Sequence, residues 1–253
     1  MITSAVVSDK QTRGEAMDKL NEGHTIKRYD GELEHLRILV LEMGGLVISQ
    51  LDDALTAFKA RDLGLARRVV AKDGEVDYLE VHADEEIAKI IAKRCPLSAD
   101  LRLVMAVSKS VSDLERIGDE AVRIAGLAIQ LFGGESSDPN SQMLRDINRI
   151  GDMALSGLRS AVEIFDVWDE EKALQVIENH RAMEEEFQAD LRHLLTYVLE
   201  DYRNIGFAIS VVIVIKALER IGHHAQNLAE YVVFQVCGED IRSQQPTKGG
   251  GVE

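Results

Sequence analysis

From Glu32 to about Arg61 apolar residues return at helical spacing: Leu33, Leu36, Val40, Met43, Val47, Leu51, Ala54, Phe58. That period places them on one face of an α-helix, with polar residues opposite. A second helix is predicted from Leu63 to Lys93 through Ala66, Val69, Val76, Leu79, Ala83, Ile87 and Ile91, with Asp62 as its N-cap. Cys95-Pro96 ends it, because the residue before a proline is pushed out of the α region. Ser98 is read as the cap of a third helix, Ala99 to Phe132. Gly133-Gly134-Glu135-Ser136-Ser137-Asp138-Pro139-Asn140 is the strong linker signal. Beyond it the pattern restarts, with helices predicted over Ser141–Val167, Glu170–Glu200 and Asn204–Val236.

The restart is an internal repeat. Phe58, Asp62, Ala66 and Val69 match Phe165, Asp169, Ala173 and Val176 at a constant offset of 107. A longer phrase, Leu114-Glu115-Arg116-Ile117-Gly118-Asp119-Glu120-Ala121, returns as Leu218-Glu219-Arg220-Ile221-Gly222-His223-His224-Ala225, offset by 104. Two copies of helix–helix–helix with short connections predict an all-α protein of two tandem antiparallel three-helix bundles. The expected division is a mobile arm over 1–30, a first bundle over 31–133, a linker over 134–140, a second bundle over 141–237 and a disordered tail over 238–253. Gly44-Gly45 interrupts the first helix with poor helix formers, and small residues there permit a close helix contact.

Charge narrows the functional classes. The 253 residues carry a formal net charge of −15, which argues against nucleic acid, since phosphate-backbone binding needs clustered Lys and Arg. Direct sensing of phosphate is likewise expected to be unfavourable without bound cations. Cys95 and Cys237 match no zinc or redox spacing and suit a reducing cytoplasm. The N-terminal stretch is polar and lacks a secretory apolar segment. The longest apolar run, Ile205–Ile215, is well short of the roughly 20 residues that span a bilayer, and reads as a buried helix.

The doubled phrase carries the candidate chemistry. Glu115 and Asp119, four apart, share an edge of the stripe formed by Leu114, Gly118, Val122 and Ala125, while Arg116, Glu120 and Arg123 point away. The preceding helix offers Asp77, Glu80 and Asp84 along one face. If the two helices lie side by side, five carboxylates meet, and a multivalent cation is the natural remedy for their repulsion. Hard oxygen donors select iron, manganese, magnesium or calcium over copper or cadmium. The competing reading is a set of solvated outer faces. The recurrence in a second copy favours metal. There the offset of 107 takes Asp77 to Glu184, but Glu80 and Asp84 to Phe187 and Leu191, leaving a poorer set of Glu184, Glu219 and His223. Glu186 and Asp190, though four apart, fall outside the repeat and read as solvated; His224 reads as an exposed neighbour. His223 is a good iron, manganese or zinc ligand, though less hard than a carboxylate. No nucleophile–base triad and no phosphate-cradling Gly-rich loop is present.

These residues resemble those of the PhoU family. The likeness rests on Leu114-Glu115-Arg116-Ile117-Gly118-Asp119, on its second copy, on Asp100-Leu101-Arg102-Leu103-Val104-Met105, and on Glu32-Leu33 with Met43-Gly44-Gly45. It covers about residues 24–240. The resemblance implies two three-helix bundles carrying acidic metal motifs that bind multinuclear iron or other divalent metals. It implies a non-enzymatic negative regulator of phosphate uptake and of the phosphate-starvation response. Such a protein links the ATPase subunit of a phosphate ABC transporter to a sensor histidine kinase. It is expected in the cytoplasm as a homodimer, meeting the inner membrane only through its partners. His223 stands where the family has Asp, which weakens the second site. The rival is a di-iron carboxylate enzyme or ferritin-like protein. Those bundles need Glu-x-x-His pairs turned inward, and Glu219 to His223 is one residue too wide.

Overall fold

In a computed structural model, which describes residues 27–134, 141–200 and 205–238, the described chain is helical throughout. The N-terminal arm up to residue 26, most of the linker and most of the tail lie outside the described residues. The first bundle contains α1 (Lys27–Ala60), α2 (Leu63–Ala71), α3 (Asp73–Arg94) and α4 (Ser98–Phe132). The second contains α5 (Ser141–Val167), α6 (Glu170–Glu200) and α7 (Ile205–Cys237). α1 begins at Lys27, several residues before the apolar period becomes visible. The predicted face of α1 is the buried one: Leu36, Met43, Val47, Leu51, Ala54 and Phe58 are almost wholly inaccessible. The apolar run at the start of α7 is part of the common core through Val211, Val214 and Ile215, and no described helix is long and apolar enough to cross a membrane.

Two local expectations are corrected. The predicted second helix is broken at Lys72, which caps α2 with its N–H bonded to the carbonyls of Arg68 and Val69. Asp73-Gly74 follows, a pair that competes with helical backbone, whereas the matching stretch of α6 has no such pair and runs through unbroken. Ser98 is the first residue of α4, not its cap. Leu97 precedes it in extended conformation, and the end has no side-chain cap bond. Asp62 does cap, accepting from the Leu65 N–H at 2.9 Å. Cys95 ends α3 in the left-handed region, at φ 47°.

The bundles meet across two antiparallel helix pairs, α1 with α5 and α4 with α7. Both crossings follow the repeat. A Cβ at Gly44 would sit 2.8 Å from Val162, and one at Gly151 2.7 Å from Leu55, so each glycine receives the twin of the other's neighbour. Gly45 faces open space and takes no part. Arg159 binds Asp52 across the same pair at 2.8 Å, and Arg37 binds Asp166. Within each bundle, Gly118 lies against Val76 and Gly222 against Met183, again twin positions, which lets α4 approach α3 and α7 approach α6 closely.

Candidate metal centre and the seam between the bundles

The close approach at Gly118 sets the acidic residues of α3 opposite those of α4. Glu80 and Glu115 are half-buried, while Asp77, Asp84 and Asp119 are exposed. The carboxylates feel one another across the helix pair. Burial, then Asp119, Glu80 and Asp77, push the Glu115 carboxyl above its usual range. Asp119 is raised by burial, Asp77 and Glu120. Glu80 is raised by burial, Asp84, Asp77 and Asp119, with Arg116 acting in the opposite direction. Asp73, absent from the expected set, belongs with them: burial, Asp77 and Asp119 raise it too. The acids therefore crowd at the edge between two helices, as solvated faces pointing away from each other would not.

Among the described residues, no three His, Cys, Asp or Glu side chains stand at the mutual spacing of a metal shell. The donor chemistry nonetheless suits a hard cation, since burial and neighbouring carboxylates raise Asp73, Glu80, Glu115 and Asp119 alike.

In the second bundle Glu184 and His223 are exposed and Glu219 is half-buried. Lys216, one turn earlier on α7, holds the Glu219 carboxylate. Phe187, at the repeat position of Glu80, is in the core at 2 % exposure, so this cluster has no carboxylate at that position. Sequence reasoning missed His180. Its ring centroid is 6.2 Å from that of His223, and its Nδ1 is buried with no hydrogen-bond partner among the described residues. Burial, then His223, lower its pKa, against opposing effects of Glu184 and Glu219. The offset of 107 relates His180 to Asp73, so applying the repeat to Asp73 would have found both. The second set is then His180, Glu184, Glu219 and His223, a mixed nitrogen and oxygen donor group suited to iron, manganese or zinc. Glu186 is outside it and pairs with Arg149 at 2.6 Å; the Asp190 side chain lies outside the described residues.

The seam between α4 and α7 holds residues given no role by the sequence. Asp113 is buried and accepts from Tyr231 Oη at 2.7 Å and from Asn227 Nδ2 at 3.4 Å. His224 is not an exposed neighbour: its side chain is 12 % exposed and its Nδ1 lies 2.7 Å from Asp113 Oδ1. Glu120, expected to point outward, receives a two-armed bond from Arg220, with Nη2 to Oε2 at 2.7 Å.

Comparison with known proteins agrees with this architecture. The PhoU domain model matches twice, at residues 40–128 and 142–232. The chain is 42% identical over 219 residues to the phosphate-specific transport system accessory protein PhoU homolog of Pseudomonas putida, covering 87% of this chain and 84% of that one. It is 36% identical over 227 residues to the accessory protein PhoU of Escherichia coli, covering 89% and 92%. The crystal structure of PhoU from Pseudomonas aeruginosa superposes with a TM-score of 0.78 at 39% identity, over 83% of this chain and all of that one. The phosphate transport system regulatory protein PhoU from Streptococcus pneumoniae gives 0.76 at 25% identity, over 84% and 98%. A duplicated helical fold, matched twice by one domain model and along most of its length by these relatives, places the chain in the PhoU family.

Proposed function

We propose that this chain is a non-catalytic negative regulator of phosphate uptake and of the phosphate-starvation response. It acts in the cytoplasm, docking on the ATPase subunit of a phosphate ABC transporter and on a sensor histidine kinase, and works as a homodimer. The observation that carries this reading is the likeness, along 87% of the chain, to a protein named as an accessory of phosphate-specific transport. The placement of the acids supports it against the di-iron enzyme. They crowd at a partly exposed edge between α3 and α4, where a ferritin-like centre would lie inside a four-helix core. Deleting the gene tests the role. Alkaline phosphatase and transporter expression should rise in phosphate-rich medium, and unchanged expression would reject it.

The two acidic clusters are proposed to take metal ions, iron foremost and manganese, magnesium or zinc as alternatives. Asp77, Glu80, Glu115 and Asp119, flanked by Asp73 and Asp84, would hold the first; His180, Glu184, Glu219 and His223 would hold the second. A bound cation would neutralise the carboxylates and tie α3 to α4 and α6 to α7. The upward shift of the Asp73, Glu80, Glu115 and Asp119 carboxyls, driven by burial and by neighbouring acids, supports the first site. Metal analysis of protein purified without chelator should show a loss in Glu115→Ala/Asp119→Ala; equal content in both would remove the first site.

A further inference from the structure

The seam between α4 and α7 is nearly symmetric, and one departure from symmetry opens a cationic cleft. The offset of 104 relates Arg220 to Arg116 and Glu120 to His224. At one end of the antiparallel pair Arg220 is neutralised by Glu120. At the other end a histidine stands where the carboxylate would be, and it is turned to Asp113. Arg116 therefore makes no hydrogen bond or ion pair among the described residues, although Glu80 and Glu115 lie within its electrostatic reach. Lys109 adds a second charge to the same cleft, its Nζ resting over the Tyr231 and Phe234 rings at 5.6 and 6.0 Å. Its repeat position in the other copy is Ile213, so the opposite end has no counterpart.

The cleft has a volume of about 480 Å³ and is lined by Lys109, Arg116, His223 and His224 together with hydroxyl and amide groups. Its one carboxylate, Asp113, already accepts from Tyr231, His224 and Asn227. An ionised carboxylate only accepts, so the His224 proton that meets it sits on Nδ1 and Nε2 is left for another partner. In a chain of net charge −15 this is a local reversal of sign.

We propose that this cleft binds a phosphate-type oxyanion, held by the Arg116 guanidinium and the Lys109 ammonium with hydroxyl donors completing the shell. Arg offers the planar fork that suits such an anion and Lys a point charge. The volume exceeds that of a bare tetrahedral ion, so the anion is either free inorganic phosphate with water or the phosphate group of a small monoester. The site rests on the cleft alone and stands whether or not the acid clusters take metal.

Full-length protein stripped of metal and held in chloride buffer should be titrated calorimetrically with inorganic phosphate and, separately, with glycerol 3-phosphate. Saturable binding is expected, weakened by at least about tenfold in Lys109→Gln and in Arg116→Gln, since each loses a charge-assisted contact. Arg123→Gln removes the same charge from the same helix outside the cleft and should bind as the parent does. Tighter binding of the ester identifies a monoester as the occupant; equal or weaker binding identifies the free ion. Circular dichroism should show both cleft variants folded, because neither side chain makes a hydrogen bond or ion pair among the described residues. Absence of binding for both probes, equal loss in Arg123→Gln, or binding that returns only when metal is restored would overturn the site.

Discussion

Asp113 shows how much one buried side chain can depend on its partners. Its carboxylate is reached by donors from three residues of α7, so it ties one bundle to the other. Replacing it with alanine removes the acceptor that the Tyr231 hydroxyl and the His224 ring meet in a buried seam. Asp113→Ala should cost about 2–3 kcal/mol in urea unfolding, whereas Tyr231→Phe should cost about 1 kcal/mol, because Asp113 keeps other donors. Equal stability of Asp113→Ala and parent would show that this carboxylate does not tie the bundles together. The crowded acids behave in the opposite sense. Their carboxyls titrate upward in the fold, so between the ordinary carboxylate range and the raised values the folded state binds more protons than the unfolded chain. Their favourable contribution is present at low pH and is lost as pH rises through the raised values. Chelator-treated protein should therefore gain stability from this cluster on acidification. Glu115→Gln should raise the neutral-pH stability of metal-free protein by roughly 0.5 kcal/mol, a small figure because the edge is partly in water. A drop in melting temperature in Glu115→Gln would reverse the sign of the argument.

At the scale of the helix, adjacent glycines separate two effects. Gly44 lies under Val162, whose branched side chain is stiff and has little room to withdraw. Gly44→Ala should destabilise by about 1–3 kcal/mol through overpacking of α1 against α5. Gly45 meets nothing within 4 Å, so Gly45→Ala should stabilise by up to about 1 kcal/mol through helix propensity alone. Thermal melts of the two variants moving in opposite directions check the assignment; a shift in the same direction would deny that the crossing depends on Gly44. Gly222 is an intermediate case, because its intruding neighbour is the flexible end of Met183. The break at Lys72 belongs to this scale as well. It separates α2 from α3 without moving the acids of α3 away from α4, so one long predicted helix and two observed ones deliver the same face to the site.

On the scale of the whole chain, the bundles are not independent. α1 and α4 each give an apolar flank to the other half, and buried residues of both bundles form one continuous core. Residues 27–134 expressed alone would expose that flank and should self-associate, as read by light scattering. A monodisperse monomer would show that the first bundle is complete by itself. The same joining of halves creates the cationic cleft, which neither bundle contains by itself.

Much of this was legible in the linear chain. The helical period fixed the number of long helices, and the constant offsets fixed the duplication, because a repeated apolar face is written directly in residue spacing. The acids of the first bundle were legible as faces for the same reason: Asp77, Glu80 and Asp84 fall along one face of their helix, and Glu115 and Asp119 along one edge of the next. His180 was legible in principle and overlooked, since the offset was applied to Asp77 and not to Asp73. The roles of Glu120, Asp113 and His224 were not legible. Which outward-facing residues become seam residues depends on how two similar bundles dock, and periodicity within a helix carries no information about the partner that will cover its back. The sequence by itself determined the helices, their doubling and the acidic edges. Tertiary docking alone decided that Arg220 is paired with a carboxylate while its twin Arg116 is not among the described residues, because that outcome depends on contacts between residues a hundred or more positions apart.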